Sequence, residues 1–174
     1  LCMNKITEIE KDIFLFEVLT ERDIEKLISL INEASSEKLK NTESCISQSD
    51  YYLNQKNKLK VLRPYFEYLW NALDYFKLNF PMIYGSKSLI LQNYWFQKYS
   101  QNDNHDWHTH RNSNFANVVF LKGKNMQTEI LGKNLKNVVY PGTMLTFPAF
   151  LKHRSKQNNF NQEKIIISFN SSIE

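Results

Sequence analysis

The chain's four histidines occupy two places: His105, His108 and His110 fall within six residues, and His153 stands apart in Phe147-Pro148-Ala149-Phe150-Leu151-Lys152-His153. If Trp107-His108-Thr109-His110 is extended, the two-residue period of a strand puts His108 and His110 on one face, about 6.6 Å apart along the backbone, so that two imidazoles can converge on one ion. His153, returning from a distant strand, would supply a third ligand. A pair from one segment plus one late ligand leaves coordination positions open, as a catalytic metal requires and a closed structural site does not provide.

Two alternatives stand beside that reading. The Asn- and Asp-rich stretch Asn102-Asp103-Asn104-His105-Asp106 also fits a solvated surface loop, and His105 is expected to be such a loop residue. Asp106 shares a strand face with His108 and His110, but positions four apart on a strand are separated by about 13 Å, too far for one ion to take both Asp106 and His110. The spacing therefore allows His108 with His110, or Asp106 with His108.

Four segments together resemble the iron(II)/2-oxoglutarate-dependent oxygenases of bacteria and marine phages. These are Asn93-Tyr94-Trp95-Phe96-Gln97-Lys98-Tyr99, Trp107-His108-Thr109-His110-Arg111-Asn112-Ser113, the His153 segment, and Lys164-Ile165-Ile166-Ile167-Ser168-Phe169-Asn170. The likeness covers residues 88 to 172. It implies a double-stranded β-helix, or jelly roll, with iron(II) held by His108, His110 and His153. It also implies 2-oxoglutarate as co-substrate with its distal carboxylate on Lys164, O₂ as oxidant, and a hydroxylation that couples 2-oxoglutarate decarboxylation to C–H oxidation.

Two positions depart from that family's usual pattern. His110 stands where most of the superfamily has a carboxylate, and Ile166 where a serine often helps the basic residue. A three-histidine site also suits a cupin-like metal enzyme that does not use 2-oxoglutarate, and a jelly roll without metal would be a binding module. Tyr94, Asn93 and Gln92, on the strand before the histidine segment, are candidates for contacting the co-substrate.

Lys164 opens a β-branched run that reads as a buried strand. A lysine there either snorkels to water or meets an anion inside the barrel, where a charge-assisted hydrogen bond is worth roughly 1.5–3 kcal/mol. Arg154, next to His153, points to the opposite strand face, and Arg111 is expected outside.

The elements that must position these residues follow from periodicity. Ile13 to Leu19 reads as a strand; Thr20 with Asp23 caps a helix whose apolar stripe is Ile24, Leu27, Ile28 and Ile31. A polar loop is expected from about Ser35 to Lys58, and Pro64 should open a second helix with Phe66, Leu69, Trp70, Leu73 and Phe76 facing inward. From Ser88 the period becomes two. Strands are expected over Leu89 to Tyr99, Phe115 to Leu121, Gln127 to Leu131, Asn137 to Tyr140, Thr143 to Phe147, His153 to Gln157 and Glu163 to Ser168, with a Pro141-Gly142 turn.

The fold class is thus α+β, mainly β, as one domain over residues 1–174. Residues 1–87 would be a mainly helical support buttressing one sheet, and 88–172 the jelly-roll catalytic core. At 174 residues with 42% hydrophobic composition, the chain can bury a sizeable core. Only 4 Gly and 4 Pro are present, so turns must lean on asparagine.

The net charge of +4 is scattered among acidic residues, which argues against a nucleic-acid partner. Two cysteines make no disulfide framework, no apolar run approaches membrane-spanning length, and a cytoplasmic location follows as the expectation. The substrate, small-molecule or peptidyl, is chosen by the loops near 35–58 and 100–106.

Overall fold

The computed structural model describes residues 5–53, 89–124, 127–135 and 138–173. The second helix expected from Pro64 lies outside them.

Among the described residues, the chain runs β1 (Ile6–Glu10), β2 (Ile13–Glu17), α1 (Glu21–Glu33), β3 (Glu37–Lys40), β4 (Cys45–Ser49), β5 (Leu89–Tyr99), β6 (His105–His108), β7 (Phe115–Lys122), β8 (Thr128–Ile130), β9 (Thr143–Pro148), β10 (His153–Ser155) and β11 (Lys164–Ile173). A large antiparallel sheet has the order β1-β2-β9-β7-β11-β5-β4-β3, and a small one the order β6-β10-β8. This is the expected mainly β jelly roll.

Strand parity builds two cores. On β11, Ile165, Ile167 and Phe169 point to one side of the large sheet and Ile166 to the other, because successive side chains alternate. The first side is covered by α1, whose Leu27 and Ile31 are buried against Phe14, Phe16, Phe96 and Met144. The second side faces the small sheet and encloses Tyr99, Phe120, Ile130, Leu145, Phe147 and Ile166.

Helix α1 starts where the sequence puts it. The Thr20 hydroxyl accepts from the Asp23 N–H, and the Asp23 carboxylate accepts from the Thr20 N–H at 3.1 Å. Such a reciprocal cap contributes about 1 kcal/mol. The Pro141-Gly142 turn also forms. Gly142 has φ +90°, and a Cβ there would lie 2.7 Å from the Leu19 carbonyl oxygen, so only glycine fits. Asn102 and Asn112 take positive φ as well, which is how a glycine-poor chain makes its turns.

Several expectations are corrected. The N-terminal part is not mainly helical over its described residues: β1 to β4 extend both edges of the large sheet. The expected loop from Ser35 contains the β3–β4 hairpin, whose polar residues hid the alternation. Val138 to Tyr140 form no strand, while His105 to His108 do. β11 continues to Ile173 because its polar end, Asn170-Ser171-Ser172, still pairs with β5 and β7.

Candidate metal centre

The small sheet brings the distant histidine to the pair. His153 on β10 stands directly opposite His108 on β6, in antiparallel register. His110 lies two residues beyond the end of β6, not inside a strand over residues 107–110, and its N–H donates to the Ala149 carbonyl at 3.0 Å. That bond ties the second histidine to the turn that leads into His153. Candidate donor atoms of His108, His110 and His153 all lie within 4.8 Å of one another. Ligands about 2.1 Å from a common ion stand about 3 Å apart at right angles, so ring rotation closing at most about 2 Å would complete the site.

Backbone carbonyls orient two of the rings. His108 Nδ1 lies 2.7 Å from the Asp106 carbonyl oxygen, and His153 Nδ1 lies 2.8 Å from that of Leu151. A carbonyl can only accept, so each Nδ1 carries the proton and each Nε2 lone pair is left free for an ion. Burial lowers the histidine pKa values: to about 4 for His110, and to about 3 for His153, with His108 the next cause there. His108 is lowered too, by desolvation against the opposing pull of Asp106. The imidazoles are therefore neutral at pH 7, the form that binds metals.

Asp106 contributes its backbone and not its side chain. Its N–H donates to the Ser44 hydroxyl and its carbonyl holds His108, while its carboxylate is not among the converging donors. His105 is corrected more sharply. It is no solvated loop residue: its ring stacks on His108 with centroids 3.9 Å apart, and burial lowers its pKa to about 3. It nevertheless stays outside the converging set. Arg154 points away as expected, its guanidinium 4.5 Å from the Trp107 ring and bonded to Glu129, and Arg111 is exposed.

Lys164 is 2% exposed. Its ammonium donates to the Ser155 hydroxyl at 2.8 Å and lies 5.3 Å from the centre of the Tyr99 ring. No carboxylate among the described residues pairs with it, and burial drags its pKa from 10.5 down to about 7. The Tyr99 hydroxyl beside it is buried without a well-formed hydrogen bond, and its pKa is raised chiefly by desolvation, with Ser155 pulling the other way. Ser155 follows His153 by two residues on β10, so it stands about 6.6 Å further along the same strand face. Sequence reasoning missed Ser155, although that spacing carried the signal.

Tyr94 is a correction. Its parity turns it to the α1 side of the large sheet, where it joins the core, and Trp95, Gln97 and Tyr99 face the histidines instead. Asn93 and Gln92 are exposed, with Gln92 accepting from the Ser113 hydroxyl.

Two cavities meet at the histidines. The inner one lies between the sheets, lined by Gln97, Tyr99, Ser155, Ile166 and Ser168, with the buried, unpartnered Asn170 Oδ1 at its wall. Its free volume of about 30 Å³ admits a few waters, so a larger guest must displace them and shift side chains. The outer one, about 400 Å³, opens from the same histidines toward the β3–β4 hairpin and Tyr51-Tyr52.

No family model matches the sequence, and a comparison with curated proteins finds no match either. Solved structures do match. A 2OG-Fe(II) oxygenase family oxidoreductase from Burkholderia pseudomallei superposes with TM-score 0.67 at 10% identity, covering 94% of this chain and 86% of that one. The fold is that of the 2OG-Fe(II) oxygenases. The non-heme alpha ketoglutarate dependent epimerase SnoN of nogalamycin biosynthesis also gives 0.67 at 10% identity, covering 92% of this chain and 76% of its own. The viral collagen prolyl hydroxylase of Paramecium bursaria Chlorella virus-1, in its 2OG complex, gives 0.57 at 14%, covering 92% and 96%. Likeness at these identities establishes the architecture, and it spans far more of the chain than residues 88 to 172.

Proposed function

We propose that the protein is an iron(II)/2-oxoglutarate-dependent dioxygenase that oxidises a C–H bond of its substrate. The observation that carries this reading is the buried, uncompensated ammonium of Lys164, placed one strand repeat from a ring of three neutral imidazoles. Burying a charge without a partner costs several kcal/mol, so a site that keeps one is matched to an incoming anion. A dicarboxylate that reaches the ion at one end and Lys164 at the other spans that interval.

His108, His110 and His153 would hold the ion through their Nε2 atoms, and the Asp106 and Leu151 carbonyls fix the ring orientations. Bound iron(II), with 2-oxoglutarate and O₂, supplies the oxidative decarboxylation that drives substrate oxidation. Lys164 would pair with the distal carboxylate, and the Ser155 and Tyr99 hydroxyls stand ready to share it. Lysine binds as a point charge rather than a fork, so these two hydroxyls must supply the directionality an arginine would provide. Trp95, edge-on to Tyr51, and the Phe147 ring, 4.7 Å from His153, keep the histidines in a largely apolar setting.

The three-histidine donor set favours one rival, a cupin-like metal enzyme that does not use 2-oxoglutarate. Calorimetry of 2-oxoglutarate into iron(II)-loaded protein under anaerobic conditions separates them. Binding that disappears in Lys164→Ala, together with succinate formation in air, supports the oxygenase. Metal uptake without any 2-oxoglutarate binding at millimolar concentration hands the site to the rival.

A further inference from the structure

The outer cavity is not explained by the metal and the co-substrate. It shares Trp95, Gln97, His105, His108 and His110 with the inner one, so the histidines form the partition between two chambers. If the inner chamber takes the co-substrate, as the preceding reading holds, the outer one is the place where a substrate reaches the ion, and its occupant counts as a substrate only on that reading. Its volume of about 400 Å³ lies in the range of small-molecule sites.

Register decides which side chains face this chamber. Ser49 on β4 pairs with Gln97 on β5 and with Glu37 on β3, and directly paired side chains stand on the same side of a sheet. Gln97 faces the histidines, so Glu37 does as well. Leu39, two residues on, pairs with Ile46 and packs into the histidine-side core. Lys38 and Lys40 have the opposite parity and turn to the other face of the sheet. Histidines aside, Glu37 is then the one charged side chain turned into the chamber among the described lining residues, and it forms no ion pair with a described residue.

Aromatic rings run from the ion site to the same end of the hairpin. Trp95 lies 5.8 Å from His110, Tyr51 packs edge-to-face on Trp95 at 5.0 Å, and Tyr52 packs on Tyr51 at 4.9 Å, between ring centroids. The Tyr51 N–H donates to the Ser49 hydroxyl at 3.2 Å, which fixes the tyrosines beside the residue that Glu37 faces across the strands. Tyr52 is left 72% exposed at the mouth, with a ring to offer. A carboxylate and the faces of aromatic rings both attract cations, and neither attracts an anion. We propose that the outer chamber takes an organic cation as substrate, with its ammonium or guanidinium group between Glu37 and the tyrosine rings and its apolar body along Trp95 toward the ion. β3 is an edge strand, and a charge on an edge also serves simply to discourage strand pairing. That role requires the carboxylate alone, whereas recognition of a cation requires carboxylate and rings to act on one molecule.

The test compares choline with 3,3-dimethylbutan-1-ol, which replaces the quaternary nitrogen by carbon and so removes the charge at constant shape. Each is titrated into the metal-free full chain by calorimetry. Choline should bind more tightly. Glu37→Gln should weaken choline about fivefold, the upper end for an exposed ion pair, and leave the alcohol unchanged. Tyr52→Ala should weaken choline about twofold to fivefold, as expected for an exposed contact between a cation and a ring. Both residues are exposed, so neither substitution removes a core contact. In manganese(II)-loaded protein, the choline methyl proton resonance should broaden more than with the protein or the ion alone.

Four results overturn the proposal: the alcohol binding as tightly as choline, a choline preference that survives Glu37→Gln or Tyr52→Ala unchanged, no choline binding at millimolar concentration, or no added broadening in protein that has taken up manganese(II), which would put the cation away from the ion. Metal uptake by the unaltered protein is read separately. Its absence with the choline preference intact removes the oxygenase reading alone, and its presence without the preference removes the cation site alone.

Discussion

Replacing Lys164 with methionine should make the ligand-free protein more stable while abolishing co-substrate binding, and the stability gain should depend on pH. Burial holds the folded lysine near pKa 7, whereas the unfolded lysine titrates near the ordinary value of 10.5. Between those values the unfolded chain holds more protons than the folded one, so the lysine's contribution to stability rises with pH across that window. Below about pH 7 the penalty is complete. Lowering the pKa from 10.5 to about 7, at about 1.4 kcal/mol for each tenfold change in proton affinity, gives the penalty a ceiling of roughly 5 kcal/mol. Methionine fills a similar volume without charge but leaves the Ser155 hydroxyl without its partner, which returns about 1 kcal/mol. Lys164→Met should therefore exceed the unaltered protein by a few kcal/mol near pH 6 and lose that advantage by about pH 10. Burial keeps the neighbouring Tyr99 phenol neutral through this range. Urea denaturation of both proteins across the pH series gives the difference directly. In the unaltered protein, 2-oxoglutarate should bind with proton uptake above pH 7, visible as a calorimetric enthalpy that depends on the buffer. A stability difference flat in pH, with no proton uptake, would refute the claim that this ammonium is buried and waiting for an anion.

Other outcomes follow from the same geometry. Alanine at His108, His110 or His153 should each remove most bound divalent metal, measured by elemental analysis after dialysis, whereas His105→Ala and Asp106→Ala should retain it. Ser155→Ala should leave metal content intact but weaken 2-oxoglutarate by about 10-fold, as expected for one hydrogen bond to a charged group. Gly142→Ala should lower stability by about 1–3 kcal/mol in thermal or urea melts, because its φ of +90° and the nearby Leu19 carbonyl leave no room for a Cβ.

How far the sequence was legible depended on whether a local pattern or a distant partner decided the outcome. The α1 cap, the β5 span and the Pro141-Gly142 turn rest on neighbours in sequence, and all three appear where periodicity and turn chemistry put them. β3, the edge strand, and β4, between it and β5, were hidden because their polar Glu, Lys, Ser and Gln residues mask the alternation. His105 was misread for the opposite reason: its Asn- and Asp-rich surroundings read as solvent, yet Asp103 is buried accepting bonds from the N–H groups of Ser47 and Ser100, which draws the segment inward.

The site shows the same division. The spacing of His108 and His110 exposes their shared face, but only antiparallel register sets His153 against His108, and nothing local announces that register. Tyr94 failed as a candidate by one position of parity. A strand buried on both faces carries no polar alternation to tell its cavity side from its core side, so that choice was open until β11 paired with β5. Once Ser168 stands opposite Trp95 and Lys164 opposite Tyr99, the even residues of β11 and the odd residues of β5 share the chamber. The ammonium of Lys164 is then committed to an interior it cannot leave without breaking the sheet. A surface lysine would have snorkelled out; this one is held in by the strands on either side, and its burial without a carboxylate partner among the described residues is a consequence of register.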